Sequence, residues 1–322
     1  MPDLVERIIT KQSTAWLIAV ILLFILPLFV GKYTVFLLSL LAVYALVSLG
    51  LNLLMGYTGQ IAAGHAGFLA IGAYFTALVS ANVEWLPCVV TLFLAGLFSG
   101  VIGFLLGIPI LRLKGFYIAM ATLAFGVVVS EVILQWSSVT GGDDGFSVPI
   151  AKISGFAFDS DFKLFYLIVS VTIILTILAK NLVGGYIGRA FIALRESEIA
   201  AQTIGIDLAK YKTIAFAISA FYTGVAGGLF AYLITFLSPD AFTIELSIDF
   251  IAMIVIGGMG SILGSIIGAV ILTGMQQVLA GLLDLQILIF GLSLIVFMIF
   301  MPRGISGMIH DLKDRYARRQ RP

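Results

Sequence analysis

The sequence predicts an all-α membrane protein that crosses the bilayer several times, and three observations carry this prediction. Of the 322 residues, 61% are hydrophobic and only 11% are charged, whereas globular proteins are about half apolar and about a quarter charged. The mean hydropathy is +1.15. The apolar residues also form long runs without charge, and a water-soluble fold of this length needs more polar side chains to cover its surface. These features exclude an ordinary soluble enzyme.

The individual spans follow from the runs without charged residues. A helix needs roughly 20 mostly apolar residues to cross a bilayer. The first run follows Arg7 and Lys11 but has no small-residue cleavage site behind Val30, so we expect it to be retained as a helix. We expect about eight full spans and one broken helix pair, from runs at residues 15–31, 33–55, 64–82, 86–111, 115–135, 164–180, 213–237, 248–280 and 285–301.

The broken pair is predicted in run 248–280. As one helix at about 1.5 Å per residue, this run would reach roughly 50 Å, which is too long for a single crossing of a hydrocarbon core about 30 Å thick. It also contains the helix-breaking cluster Gly257-Gly258-Met259-Gly260-Ser261. The run therefore predicts two re-entrant helices whose broken backbone is buried in protein or lines a wet cavity.

The orientation follows from Lys and Arg, which accumulate in short loops on the cytoplasmic side. With the N-terminus inside, 15 of the 18 Lys and Arg residues are cytoplasmic, and the exceptions are Lys32, Lys152 and Lys163. The basic tail 303–322 is cytoplasmic only if run 248–280 crosses an even number of times, which agrees with a broken pair. We expect residues 1–322 to form one transmembrane domain with both termini in the cytoplasm and a long cytoplasmic connection at 181–212.

A repeat is suggested by two gapless matches in the same order. Residues 94–107 align with 218–231 on shared glycines, and residues 118–120 repeat as 251–253. The matched segments run in opposite directions in the predicted topology, so the pattern indicates an inverted repeat, an organisation common in transporters. The alternative is that small residues recur because they let membrane helices pack closely.

The chain offers little chemistry of its own. The predicted membrane centre contains no Asp or Glu, which disfavours a proton-driven carrier, whereas a sodium site built from carbonyls and hydroxyls stays open. No Gly-x-x-x-x-Gly-Lys-Ser/Thr motif occurs, so this chain binds no ATP through a P-loop. The net charge of +1 gives no electrostatic case for nucleic acid, and the single cysteine, Cys88, excludes a Cys-rich metal site.

His65 is the one titratable residue deep in an apolar run. An intramembrane hydrolase could use His65 with Ser261, but no carboxylate is placed to orient the imidazole and no Gly-x-Ser-x-Gly turn occurs. We therefore expect His65 to be a hydrogen-bonded residue at the start of a helix.

The glycines around His65 predict an interrupted helix, because four occur within residues 56–67. The free N–H groups of such a segment can meet a carboxylate. Discontinuous segments in corresponding positions of two halves are a pointer to a substrate path, although each glycine alone could serve close packing. The predicted path residues are Asn52, Gly56, Gly59, Gln60, Gly64, His65, Gly257, Gly258, Gly260 and Ser261.

The connection 181–212 predicts a short helix that needs a partner. Ser197 can cap this helix with Glu198 in its first turn, and Gly205 can end it. Two helical turns are not stable alone in water, so a cytoplasmic subunit that binds them is one explanation. The alternative is a helix that lies on its own protein or on lipid headgroups.

These segments resemble a known family. The run from Gly188 to Gly205, with Glu198-Ile199-Ala200-Ala201, is similar to the coupling loop of ABC importer permeases. The sequence around it resembles the M-type permease of branched-chain amino-acid importers. The supporting segments are Leu49-Gly50-Leu51-Asn52-Leu53-Leu54-Met55-Gly56-Tyr57-Thr58-Gly59-Gln60, Gly115-Phe116-Tyr117-Ile118-Ala119 followed by Thr122-Leu123, Thr140-Gly141-Gly142 with Gly145, Ser238-Pro239 and Gly257-Gly258-Met259-Gly260-Ser261-Ile262-Leu263-Gly264.

The resemblance implies a permease subunit rather than an enzyme. It implies pairing with a second, similar permease, docking on two cytoplasmic ATPases that use the ATP, and delivery of substrate by an extracytoplasmic binding protein at a bacterial or archaeal inner membrane. No cofactor or metal is expected in this chain. Residues implied to dock on the ATPase are Arg195, Glu196, Ser197, Glu198, Ile199, Ala200, Ala201 and Gly205.

Some features depart from the family pattern, and other functions stay open. The loop has Glu-Ile-Ala-Ala where other importers have Glu-Ala-Ala, and Asp143-Asp144 replaces the Pro or Asn of many relatives. The second departure leaves the contacts with the binding protein, or the substrate, open to urea, short amides or other amino acids. A stand-alone secondary carrier or channel for a small polar solute is the alternative function.

Overall fold

The computed structural model describes residues 24–301 and 304–308, apart from residues 112, 114, 154, 280 and 282–285. Most of the first predicted span, 15–31, and most of the tail 303–322 lie outside the described residues. The main helices are α1 (Lys32–Thr58), α2 (His65–Asn82), α3 (Cys88–Ile110), α4 (Phe116–Gln135), α5 (Asp161–Gly184), α6 (Tyr186–Glu196), α7 (Glu198–Thr203), α8 (Leu208–Ile234), α9 (Ile244–Gly257), α10 (Ile262–Leu279) and α11 (Gln286–Phe300).

The prediction of a helical protein with several spans is confirmed. Six of the described helices are long and apolar enough to cross a membrane, namely α1, α3, α4, α5, α8 and α10. The predicted spans 64–82 and 285–301 form the helices α2 and α11, which are not among these six. The expected count of full spans is therefore approximate, and run 248–280 contributes the pair α9 and α10.

Two helices extend beyond the charge-free runs that predicted them. Helix α5 includes Lys163 and Lys180, and α8 begins before Lys210 and Lys212. Lysine can stay in a helix at a membrane surface, because its long apolar stem lets the ammonium group reach water. A single charge therefore does not mark the end of a helix here.

Helix α8 lies at the centre of the bundle and packs against α1, α2 and α3. Small residues allow this packing. A methyl group at Gly72 of α2 would lie 2.1 Å from the carbonyl oxygen of Gly224 in α8, and one at Gly227 would lie 2.1 Å from the carbonyl oxygen of Leu69. Dispersion between closely packed backbones is a main source of attraction between helices in lipid.

The two segments that share the glycine pattern pack directly against each other. Gly96 of α3 lies beside Val225 of α8, and further along α3 Gly103 lies beside Ala220. Residue numbers rise on one helix as they fall on the other, so the helices are antiparallel. This is the relative direction that an inverted repeat requires, and the repeat itself stays a prediction.

The described cations divide between the two ends of the bundle as the predicted orientation requires. We call the end that carries residues 185–207 the coupling end. Lys180, Arg189, Arg195, Lys210 and Lys212 lie at the coupling end or on helices that reach it, whereas Lys32, Lys152 and Lys163 belong to elements of the opposite end.

Short strands lie at the end of the bundle opposite the coupling end. Strand β1 (Phe146–Ser147) pairs antiparallel with β4 (Phe236–Leu237), and β2 (Lys152–Ile153) pairs antiparallel with β3 (Phe156–Ala157). The β1–β4 pair connects the loop after α4 to the loop after α8, so it fixes the approach to α9 relative to α4.

Candidate functional site

The predicted break in run 248–280 is present. Helix α9 ends at Gly257, α10 begins at Ile262, and Gly258 and Gly260 between them have φ angles of 117° and 76°. A methyl group at Gly257 would lie 1.9 Å from the carbonyl oxygen of Gly264, so the two helices return against each other at close range. Within the break Gly257 and Gly258 are buried, Gly260 and Ser261 are partly buried, and Met259 is 53% exposed.

Asn52 of α1 holds this break through its amide group. Its Nδ2 donates to the carbonyl oxygen of Ser261 at 2.8 Å and is 2.6 Å from Oγ of Ser265, and its Oδ1 accepts from the N–H of Gly260 at 2.9 Å. Asn52 is fully buried. One side chain thus pairs the backbone N–H of Gly260, which the interrupted helix leaves free, and adds a second bond to the carbonyl oxygen of Ser261, which also accepts from the N–H of Ser265.

The second predicted interruption lies between α1 and α2. Helix α1 ends at Thr58, Gly59 has a φ of 74°, and α2 begins at His65, so residues 60–64 are non-helical. Two polar groups of this segment donate hydrogen bonds to side chains of the protein. The N–H of Ala63 donates to Oγ1 of Thr122 at 2.9 Å, and Nε2 of Gln60 donates to Oγ1 of Thr58 at 3.1 Å.

His65 is buried at the first position of α2. Its Nε2 lies 2.7 Å from Oγ of Ser219 in α8, and no carboxylate bonds to its ring among the described residues. Ser261 bonds instead with Asn52 and with Ser306. The structure therefore does not bring His65 and Ser261 together as a hydrolase would need, and His65 has the hydrogen-bonded role expected of it.

The two interruptions meet at the coupling end, around Arg195. Nη1 of Arg195 donates to the carbonyl oxygen of Gly56 at 2.9 Å, and a methyl group at Gly260 would lie 2.7 Å from the same nitrogen. The Arg195 side chain also lies against Gly59. Of the predicted path residues, Asn52, Gly56, Gly59, Gly260 and Ser261 come together here. Gln60, Gly64 and His65 lie along the segment that leads to α2, and Gly257 and Gly258 pack within the broken pair.

The short helix predicted in the connection 181–212 is α7. Oγ of Ser197 accepts from the N–H of Ala200 at 3.2 Å, Glu198 opens the helix, and Gly205 follows its end with a φ of 86°. The predicted cap and the predicted end of this helix are confirmed.

Helix α7 is attached to the bundle on one side only. Ala201 is buried, and the carboxylate of Glu198 lies 2.6 Å from Nζ of Lys212, whose side chain is almost entirely buried against the bundle. Ile199 and Ile204 are 79% and 73% exposed. The helix is thus fixed through Glu198 and Ala201, while Ile199 and Ile204, the residue after its end, face outwards. Glu198 was predicted to dock on an ATPase, and in this structure its carboxylate is engaged inside the chain.

Replacing Lys212 with methionine is expected to loosen α7. Because Glu198 is half-exposed, loss of its ion pair with Lys212 should cost about as much as loss of a surface pair. That is about 1 kcal/mol, or roughly a fivefold shift in the equilibrium between the closed and the locally opened α7. Amide hydrogen exchange in residues 198–206 should therefore become about fivefold faster. Lys210→Met is the matched control, since Lys210 lies exposed one half-turn away. Equal exchange in both variants would contradict a fastening role for Lys212.

Several contributors to the site were missed by sequence reasoning. Thr122, Ser219, Ser247 and Lys212 each bond to a predicted segment across the fold. The available signal was that these polar residues interrupt or flank apolar runs, where a polar group needs a partner. Their partners lie many residues away in the sequence, so the signal could not identify them.

The chain matches a family model and several known proteins. Residues 33–301 match the family model described as "Branched-chain amino acid transport system / permease component". The chain is 34% identical to the high-affinity branched-chain amino acid transport system permease protein LivM of Escherichia coli K12, over 93% of this chain and 76% of the relative. No solved structure matches the chain.

More distant relatives include other transport permeases. The autoinducer 2 import system permease protein LsrC of Escherichia coli O9:H4 is 28% identical over 97% of this chain and 93% of its own length. A probable LivM of Methanocaldococcus jannaschii is 25% identical over 70% of this chain and 75% of its own length. Since the family model spans both interruptions and the loop between α5 and α8, the match includes every part of the site described above. The chain belongs to the family of branched-chain amino acid transport system permease components.

Proposed function

We propose that this chain is the transmembrane permease subunit of an ATP-driven importer of branched-chain or related hydrophobic amino acids, and that it forms half of the translocation path. Two relatives at 34–35% identity are permeases named for branched-chain amino acids, whereas the autoinducer 2 permease is 28% identical. These relatives are transport permeases, and a transport role without catalysis in this chain accords with them.

One observation carries the coupling part of the proposal, which is the outward face of α7. Ile199 of α7 and Ile204, the residue directly after it, are 79% and 73% exposed although the other side of the helix is fixed to the bundle. Exposed large apolar side chains on a capped helix outside the membrane-spanning segments indicate a surface that another protein covers. The sequence has no P-loop, so the ATP would be hydrolysed by the subunit that covers α7.

The complete transporter would contain four further subunits. We propose a second, homologous permease, two ATPases that bind at the coupling end, and an extracytoplasmic binding protein that delivers the amino acid. The coupling end and both termini would then face the cytoplasm of a bacterium or archaeon, which agrees with the distribution of Lys and Arg.

Replacing Ile199 with glutamate tests the docking surface. A charge at the centre of an apolar contact is costly to desolvate, so we expect the ATPase subunits retained on the tagged permease to fall about tenfold or more, with uptake lost in parallel. Retention is measured by co-purification and quantitative immunoblotting. The amount of permease in the membrane should not change.

Gln202→Glu is the matched control, because Gln202 is an exposed polar residue of the same helix and receives the same charge. It should keep the ATPase within about twofold of the unaltered level. Vesicles that contain only this chain should not accumulate L-leucine. Accumulation in such vesicles, together with normal uptake by Ile199→Glu, would support a stand-alone carrier instead.

A further inference from the structure

A cavity of about 270 Å³ lies between α4 and the first turns of α2 and α9. Ala66, Leu123 and Gly126 line its deeper part, and Glu131 and Asp240 line the part towards the opposite end of the bundle. Both carboxylate residues are exposed. The cavity therefore opens at the end of the bundle opposite the coupling end and extends towards the middle of the bundle.

The size and lining of the cavity favour a small ligand that has an apolar part and a cationic part. Pockets for drug-sized ligands span about 300–1,000 Å³, so this volume suits a single amino acid. Carbon side chains, hydroxyl groups and the two carboxylates share the lining, and no Lys or Arg of the described residues belongs to it. Such a lining matches an aliphatic side chain together with an ammonium group. It is lined by Ala66, Leu123, Gly126, Val127, Ser130, Glu131, Leu134, Pro239, Asp240, Phe242, Thr243, Ile244 and Ser247.

The floor of the cavity is a contact between backbones. A methyl group at Gly64 would lie 1.9 Å from the carbonyl oxygen of Thr122, and one at Gly67 would lie 3.0 Å from Cα of Gly126. Thr122 also accepts the N–H of Ala63. The segment before α2 is thus pressed against α4, and nothing the size of an amino acid passes between them in this state.

A second cavity, of about 190 Å³, lies towards the coupling end, on the other side of this contact. Gly59, Gln60, Ile61, Gly115 and Ile118 line it together with Glu198 of α7. Oε1 of Gln60 is buried without a hydrogen-bond partner among the described residues. A buried acceptor without a partner is uncommon in proteins, and an amine group or water that enters this cavity would satisfy it.

From this arrangement, and resting on the function proposed above, we propose that the 270 Å³ cavity binds the transported amino acid, and that the contact of α4 with residues 63–67 is the gate beneath it. The amino acid would then pass along residues 59–66 into the second cavity. Helix α4 is suited to move, because it packs mainly against α2 and is the least buried of the six long helices. Glu198 lines the second cavity, so the connection 181–212, which we call the coupling loop, forms part of the wall of that cavity.

Cysteine labelling tests the binding site. In the assembled transporter with Cys88 replaced by alanine, Val127→Cys places a thiol in the cavity lining, and Val128→Cys places one on the neighbouring position outside it. A membrane-impermeant trimethylammonium methanethiosulfonate is the probe. We expect Val127→Cys to react about tenfold faster than Val128→Cys, because thiols react as thiolates and need water.

The ligand claim is tested by protection. L-Leucine supplied with the binding protein should slow labelling of Val127→Cys several-fold, and L-glutamate should not. Labelled Val127→Cys should lose uptake, whereas Val128→Cys should keep it after the same treatment. Equal labelling rates at the two positions, or no protection by L-leucine, would overturn the inference.

The unlabelled transporter separates this inference from the proposed function. If it imports L-leucine with ATP while Val127→Cys is not protected, only the cavity assignment is wrong. If it imports no branched-chain amino acid with its ATPases and binding protein present, the proposed function is wrong.

Discussion

Replacing Asn52 with alanine is expected to destabilise the protein by about 2 kcal/mol and to lower uptake about tenfold or more. Interhelical hydrogen bonds in membranes contribute about 0.6 kcal/mol each on average, and Asn52 makes three polar contacts with the break between α9 and α10. A buried backbone group left without a partner costs about 1–3 kcal/mol. The sum over the three contacts and the cost of the one unpaired group, the N–H of Gly260, both give a loss of stability of about 2 kcal/mol.

The measurement is the free energy of unfolding in mixed detergent micelles, together with uptake by the reconstituted transporter. Asn82→Ala is the matched control, since Asn82 is exposed and its Nδ2 bonds only to the carbonyl oxygen of Leu78 in its own helix. We expect that control to stay within about 0.5 kcal/mol of the unaltered protein. Equal stability of the two variants would show that the break does not depend on Asn52.

The interruptions could be predicted from the sequence because glycine clusters act locally. Gly257 to Gly260 break a run that is too long for one helix, and the short helix after Ser197 carries its own cap and end. Hydropathy likewise predicts helices in lipid, where the backbone must satisfy its own hydrogen bonds. These features depend on neighbouring residues, so one sequence is sufficient to find them.

The contacts between the interruptions could not be predicted in the same way. Arg195 and Gly56 are separated by 139 positions, and His65 and Ser219 by 154. Such pairs depend on how α1, α2, α6 and α8 pack, and no local pattern encodes that packing. Glu198 shows the consequence. Its position in the loop suggested docking on another protein, whereas its nearness to Lys212 appears only once the loop folds back on α8.

Arg195 is placed to transmit movement of the coupling loop to the interrupted segments. Its guanidinium group lies where the end of α1, the Gly59 turn and the α9–α10 break meet, and it is the residue of α6 that bonds to the carbonyl oxygen of Gly56. Charge-assisted hydrogen bonds are about twice as strong as neutral ones. Its pair with Glu196 is exposed and contributes about 0–1 kcal/mol at most, so the bond to Gly56 is the important one.

Replacing Arg195 with alanine is therefore expected to uncouple the transporter. Uptake should fall about tenfold or more, since a lost hydrogen bond to a charged group is worth about 1.5–3 kcal/mol. ATP hydrolysis and ATPase binding should stay within about twofold, because Ile199 of α7 and Ile204 directly after it remain exposed and are untouched by the change. Uptake and hydrolysis are measured on the same reconstituted vesicles, so that their ratio reports coupling.

Two further variants separate transmission from a loss of charge. Arg189→Ala removes an exposed arginine from the same helix, and it should preserve the ratio of uptake to hydrolysis. Arg195→Lys keeps the charge and can still donate to Gly56, but it lacks the planar fork, so its ratio should lie between those of the alanine variant and the unaltered protein. If Arg195→Ala lowers uptake and hydrolysis equally, Arg195 supports docking of the ATPase and does not transmit its movement.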